Sequence, residues 1–459
     1  MPSCLPLVVY NDGTNASLDT KLTWNLNLGR LFGPAADRDE PIYRWFPFRH
    51  SFSRHLVQDL LAEWQIGSGA TILDPFCGGG TTLLASGQKG INSIGYDILP
   101  FSVLLSRVKT RRYDTTALRR VLDQLRLDVD VDVSFLDEKP AFLRKAFPPD
   151  VLCRVLGMRE SICQITNGSI RDFFLVALLS CLESLSFTTK TGGFLRFVAK
   201  DLSFVDPTQM VRSAALAMIE DLELASCTMP EGVRADVRLG DARLHSRGKV
   251  CEALITSPPY PNRHDYTRIY LLELLIGSSM SESEIKSLRY RTLRSHVEAR
   301  QQIRAVGYQR PAALERILDC MAQGNLNNSG LLRMIAGYFE DMHLCLVASA
   351  RRLRSGGRIA FVVSNARFGG HCIPVDTILA EIGQGLGLKV LDIRVGRVRG
   401  NSPQQMGRFG RAESRESIII WEKDSQSRLG RMQSGWTASG TCAYSSCKGG
   451  LQEQVTWKI

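Results

Sequence analysis

The sequence predicts an α/β protein built on a Rossmann-like, mostly parallel sheet interrupted by a helical insertion. Three observations carry that expectation. A short apolar strand, a glycine loop, a helix and a second strand follow one another over 70–96. Three more strand-like runs come later, at 233–239, 253–256 and 358–363. Between the two groups lies a long block with helical periodicity alone.

Residues 1–40 are turn-rich and carry no clear period. From Ser53, apolar residues Leu56, Val57, Leu60 and Leu61 fall on one helical face, and Gly67 marks a stop. Ala70–Leu73 reads as a buried strand, Thr81–Gln88 as the helix after the loop, and Asn92–Tyr96 as the second strand. Leu118–Leu127, Val151–Ile165, Arg171–Leu185 and Pro207–Leu224 repeat apolar residues every three to four positions, as helices packed on one face do. Thr188–Lys200 interrupts them, with Lys190, Arg196 and Lys200 interleaved with Phe194 and Phe197. Ala253–Thr256 and Arg358–Val363 are apolar runs of the kind buried in parallel sheets. Lys389–Val398 and Ser417–Trp421 read as two antiparallel strands closing one edge, which makes seven strands in all. The expected organisation is an N-terminal extension (1–40), a first half of the sheet domain (41–111), a helical insertion (112–230), a second half of the sheet domain (231–423) with an Arg/Ser-rich insertion at 280–330, and a mobile Ser/Gly-rich tail (424–459).

Of 459 residues, 44% are hydrophobic and 22% charged, a balance that buries a core and leaves disorder local. The net charge of +11 favours a polyanionic partner, because Lys and Arg displace the counterions condensed on phosphates. The twelve cysteines include no C-x-x-C pair. That argues against a zinc site and for reduced thiols in the cytoplasm. The longest apolar run, Phe173–Leu182, is flanked by Asp172 and Glu183 and is half the length a membrane span needs.

The chemistry concentrates in two places. Asp74-Pro75-Phe76-Cys77-Gly78-Gly79-Gly80-Thr81-Thr82 follows a strand and opens a helix. Its glycines allow positive φ and close approach of a ligand, and the helix start offers free N–H groups. The run lacks Gly-Lys-Ser/Thr, so it is not a nucleotide P-loop. Asp97 ends the second strand, where a carboxylate can accept from both hydroxyls of a ribose. Asp241 follows the next sheet strand and could accept from an adenine amino group. Read singly, these are also a tight turn and two surface acids; their order and spacing point to a nucleoside cofactor. The second place is Thr256-Ser257-Pro258-Pro259-Tyr260, directly after a buried strand. The prolines fix φ and leave neighbouring carbonyls rigidly aimed. An exocyclic base amine has its lone pair conjugated into the ring, and acceptors out of the ring plane favour a pyramidal, nucleophilic nitrogen. Ser257 and the Pro258 carbonyl region can accept, and Tyr260 can stack on an extruded base. His264 and Asp265 could take a proton or cap the next helix, the cap being the stronger reading for Asp265.

The glycine turn and the Ser257–Tyr260 tetrad resemble those of the amino-group DNA methyltransferases, which modify cytosine N4 or adenine N6. The resemblance spans about 41–110 and 233–423. It implies a seven-stranded class I methyltransferase sheet and S-adenosyl-L-methionine as methyl donor. The implied cofactor contacts are Asp74, Pro75, Phe76, Gly78, Gly80 and Thr81 on the turn, Asp97 and Ile98 at the ribose, and Asp241 and Ala242 at the adenine. Phe48–Leu61 resembles the segment that completes the methionine pocket around Ser51–Ser53. Asn365–Arg367 stands where the family lines its cleft. Ser257, Pro258, Pro259 and Tyr260 become the catalytic tetrad, and a serine at its head favours cytosine N4. Cys77 is not a nucleophile candidate, since carbon-5 chemistry uses a Pro-Cys loop and the chain has no Pro-Cys pair. The implied partner is duplex DNA with a flipped base, with a cognate restriction nuclease possible. Target recognition is expected from 112–230, with the Arg-rich stretch 285–310 and the loop Arg397–Gln405 as competitors. An RNA base-amine methyltransferase and a catalytically silent nucleic-acid-binding module are the alternatives.

Overall fold

A computed structural model of the chain describes residues 18, 20–224, 228–324, 328–400 and 413–424. The expected tail, apart from Asp424, lies outside them, as do residues 1–17 and 19 of the N-terminal extension and the 401–405 part of the Arg397–Gln405 loop.

The strands, in chain order, are β1 (Leu22–Trp24), β2 (Thr71–Asp74), β3 (Asn92–Asp97), β4 (Thr188–Lys190), β5 (Leu195–Phe197), β6 (Ala235–Leu239), β7 (Cys251–Thr256), β8 (Leu353–Ser364), β9 (Ala366–Phe368), β10 (His371–Ile373), β11 (Leu388–Gly400) and β12 (Glu413–Lys423). Eight of them form the main sheet, in the order β1-β11-β12-β8-β7-β2-β3-β6. β6, β3, β2, β7 and β8 run parallel, and β12 is antiparallel to both β8 and β11. The sheet is thus α/β and mostly parallel, as expected, with one strand more than the expected seven. Leu22–Trp24 pairs in parallel outside β11, so the β11–β12 hairpin is covered rather than the edge itself. All four residues of β2 are buried, because helices cover both faces of a parallel sheet.

The helix Arg54–Glu63 begins at Ser53, whose side chain accepts from the His55 N–H. Thr81–Gly87 follows the glycine turn, and Pro100–Lys109 follows β3. The block between β3 and β6 is helical, over Thr115–Gln124, Ala141–Ala146, Pro149–Cys163, Gly168–Cys181 and Pro207–Glu223. Its interruption is a two-stranded hairpin, β4 with β5. These helices share one apolar core with Ile42–Phe48 and Tyr270–Ile276. Buried Asp221 reinforces the union, accepting from the Ile42 N–H at 2.8 Å and from Trp45 Nε1 at 2.9 Å. No helix among the described residues is long and apolar enough to cross a membrane, and no disulfide joins the eight described cysteines.

Behind β7 and β8 runs the long helix Gly330–Arg352, buried on most of its surface. Asp341 in its middle is fully buried and holds two arginines, Arg243 at 3.1 Å and Arg294 at 2.5 Å. Both guanidiniums are themselves almost without exposure, so they rely on this carboxylate. Asp341→Ala leaves two buried cations underpaired. It is expected to cost about 3–5 kcal/mol in urea-induced unfolding, and a loss below about 1 kcal/mol would mean that water already reaches the pair.

Candidate active site

The parallel strands β2, β3, β6 and β7 deliver their carboxyl ends to one side of the sheet, where an open α/β sheet binds ligands. A cavity of about 950 Å³, counted out to open solvent, lies there. Its wall includes Asp74, Pro75, Phe76, Gly78 and Thr81 from the turn, Asp97 and Ile98 after β3, Asp241 and Ala242 after β6, and Ser257 and Pro259 from the tetrad. Residues nearly 180 positions apart in sequence therefore face one hollow.

The turn is built on two left-handed glycines, Gly78 at φ 49° and Gly80 at φ 82°. A Cβ on Gly78 or Gly79 would come within 2.9 Å of the Phe48 side chain, and one on Gly80 within 2.9 Å of Ser106 Oγ. Asp97 holds the turn in place: its Oδ2 accepts from the Gly78 N–H at 3.0 Å and its Oδ1 from the Leu99 N–H at 2.8 Å. The Ile98 N–H also donates to Asp97; a carboxylate has about four acceptor positions, so Asp97 keeps capacity for about one further donor. Burial pushes its carboxyl up to about 6. Asp74 is likewise pushed up to about 6 by burial, and its Oδ1 accepts from Thr256 Oγ1 at 2.6 Å and the Phe76 N–H at 3.0 Å. Burial drives the Cys77 thiol far above its ordinary range, so it stays protonated.

Asp241 is clamped by Arg243, whose Nε and Nη2 donate at 2.9 and 2.6 Å and whose backbone N–H adds a third bond. That leaves about one acceptor position facing the cavity. Ser257 Oγ can donate its one proton to the Val362 carbonyl at 3.2 Å or to Tyr260 Oη at 3.5 Å, and either bond leaves its lone pairs to accept. Burial pushes the Tyr260 phenol well above its ordinary range, so the ring is neutral.

Not every expected residue borders the cavity. Ser53 caps its helix and donates to buried Asp37 at 3.0 Å, while its neighbours Ser51 and Phe52 line the wall. Ser51 Oγ and Thr81 Oγ1 lie 2.6 Å apart. Gly80, Pro258, Tyr260 and Asn365 do not line the cavity; Tyr260 is partly buried against the apolar core that holds Leu254 and Phe361, and Asn365 Oδ1 accepts from the Asp376 N–H. Asp265 is a helix cap, accepting from the Thr267 N–H at 2.9 Å and pairing with Arg289 at 2.7 Å. Burial lowers His264 to about 4, leaving it neutral and a weak base. Sequence reasoning missed the wall made by Thr292, Leu293, Ser295 and His296. These residues close the cavity because Arg294 is anchored on Asp341 and because the Ser295 carbonyl accepts from the Arg263 N–H at 3.2 Å. In the Arg-rich stretch, Arg289 and Arg294 are spent on such internal pairs.

No protein-family profile matches the chain. Curated relatives do. The type II methyltransferase M.BsoBI of Geobacillus stearothermophilus is 30% identical, over 86% of this chain and 88% of its own length. M.AvaI of Nostoc sp. is 31% identical over 84% and 88%. The chain belongs to the type II methyltransferases, within the amino-group DNA methyltransferase family. M.MjaII of Methanocaldococcus jannaschii shares 37% identity over 23% of this methyltransferase. Among solved structures, the rRNA methyltransferase AviRa of Streptomyces viridochromogenes aligns at 12% identity over 82% of this chain and 87% of its own, with a TM-score of 0.27, too loose a likeness to bear on fold or function.

In this methyltransferase, Cys77→Ala is expected to transfer methyl groups within about threefold of the wild-type rate, since a buried protonated thiol is no nucleophile. A loss above a hundredfold with cofactor binding intact would make that thiol a reactant.

Proposed function

We propose that this methyltransferase acts on an exocyclic base amine in duplex DNA, preferring cytosine N4 to adenine N6, with S-adenosyl-L-methionine as donor. One observation carries the reading: Ser257, whose proton has acceptors within the protein, opens onto the same cavity as the glycine turn, Asp97 and Asp241.

The residues present fit the donor. Asp97 and Asp241 each keep about one acceptor position, for the ribose hydroxyls and an adenine amine respectively. The turn is so tight that side chains at Gly78 and Gly79 would collide with Phe48, and Ser51, Phe52 and Thr81 offer a polar wall beyond it. When bound, the cofactor supplies an electrophilic methyl group on sulfur. The chain's own part is positioning and polarity. Ser257 Oγ and the Pro258 carbonyl accept the two N–H bonds of the base amine and favour its pyramidal form, a preorganised arrangement that needs no movement as charge develops. Tyr260, kept neutral, offers its ring face to the base. The proton released as the new C–N bond forms goes to water, since His264 is a weak base and the Asp265 carboxylate is held by Thr267 and Arg289. The head serine favours cytosine N4. We further assign target recognition to the helical region between β3 and β6, and propose a cytoplasmic setting and a cognate restriction nuclease as partner, in keeping with the type II relatives.

Ser257→Ala and Tyr260→Ala are each expected to lower kcat on DNA by about 10²–10³, while calorimetry shows cofactor affinity within about threefold of wild type. Wild-type turnover in either variant would remove the tetrad from the chemistry. Ribose hydroxyls need the Asp97 carboxylate ionised, so cofactor affinity is expected to be level above pH 7 and to fall as pH drops through about 6. Asp97→Asn should bind more weakly and flatten that profile; calorimetry between pH 5 and 8 that shows the same slope in both proteins would place the ribose elsewhere.

A further inference from the structure

Within the helical region, the β4–β5 hairpin reaches the cleft. Its base is clamped hard. Lys190, 2% exposed, pairs with fully buried Glu273 at 2.7 Å and with Glu183 at 3.4 Å. Lys200 Nζ donates to the carbonyls of Glu183 and Thr188, both at 2.6 Å. Glu273 opens the irregular helical turn Glu273–Gly277 shortly after the tetrad, so this ion pair ties the hairpin to the tetrad's own segment. The four-residue turn Thr191–Phe194 is closed from within: the Thr191 N–H and Oγ1 both donate to the Phe194 carbonyl, at 2.9 and 2.7 Å.

The tip rests on the cleft. His50, which lines the cavity, donates from Nε2 to the Gly192 carbonyl at 2.8 Å; burial keeps that imidazole neutral. A Cβ on Gly193 would stand 3.0 Å from the His264 ring, four residues beyond Tyr260. Beside these two glycines, Phe194 stands 53% exposed, and Arg196 is exposed on β5. A single exposed aromatic is ordinary on a protein surface. This one differs in being carried on a doubly braced turn at the lip of the catalytic hollow, beside an exposed cation. Phe204, the more exposed ring at 94%, has no such tie to the cleft.

We propose that Phe194 is a positioning residue for base extrusion: its ring enters the duplex at the gap left by the flipped nucleotide, with Arg196 against the adjoining phosphate. This rests on the reading of the substrate as a base amine within duplex DNA. Extruding a base costs its stacking and pairing energy, and an apolar wedge placed in the vacated step offsets that cost, as Phe and Leu wedges do in other DNA-bending proteins. The braced turn supplies the wedge without first having to order it.

The test uses the full chain and an oligonucleotide duplex carrying the sequence at which enzyme-treated plasmid DNA becomes methylated. A second duplex has the target base mismatched, so that it is already unpaired. Phe194→Ala is expected to lose at least about tenfold in kcat/KM on the paired duplex and to recover to within about threefold of wild type on the mismatched one. Phe194→Leu, which keeps an apolar wedge, should stay within about threefold of wild type on both. An equal loss by Phe194→Ala on the two duplexes, or no loss on the paired one, would overturn the wedge. A wild-type protein that methylates neither plasmid nor duplex would overturn the DNA reading itself and the wedge with it.

Discussion

Thr256 Oγ1 donates to Asp74 Oδ1 across 2.6 Å, between two buried side chains. This bond joins the last residue of β2 to the last residue of β7, neighbours in the sheet that lie 182 positions apart in the chain. From Asp74 the backbone turns into the glycine loop; from Thr256 it turns into the proline pair. Everything assigned to the cleft depends on those two departures starting side by side. The parallel pairing of Ile72 with Ala253 and Leu73 with Leu254 sets their level. The carboxyl of Asp74, raised by burial, is held in turn by Thr256 and the Phe76 N–H, so the same group orders both loops.

A second network supports the other wall. Asp241, Arg243, Asp341 and Arg294 form a buried chain of alternating charge, which ends at the segment Thr292–His296 over the cavity. A network of this kind adds little net stability over an apolar core, yet losing one member is costly. Its value here lies in fixing where the wall stands relative to the turn after β6. Lys190 and Glu273 do the same for the β4–β5 hairpin. In both cases a buried ion pair sets the geometry of a loop that touches the cleft.

The local motifs could be read from sequence because their chemistry is local. Three glycines between a strand and a helix leave few backbone options, and two prolines after a buried strand leave fewer. The order of β2, β3, β6, β7 and β8 likewise followed from apolar runs broken by turns. What escaped reading is what depends on distant partners. β1 is three residues long with two of them exposed, so it carries no alternation to detect, and pairing with β11 alone makes it a strand. The hairpin at Thr188–Phe197 showed only as an interruption, since its strands have three residues each. The helix Gly330–Arg352 is buried on most faces and lacks the polar stripe that marks a surface helix. Ser53 has the right residue type for a cofactor contact, but Asp37, sixteen positions earlier, takes its hydroxyl. The wall at Thr292–His296 could not be foreseen either, because Arg294 is recognisable as an anchor only beside Asp341.

The most direct test of the cleft as a site for amine methylation is to incubate unmodified DNA with the protein and a donor carrying a deuterated methyl group, digest it to nucleosides and weigh them. Labelled N4-methyldeoxycytidine is the predicted product, and it should disappear with Ser257→Ala. Label on cytosine carbon 5, or none in DNA while RNA or protein becomes labelled, would contradict the account.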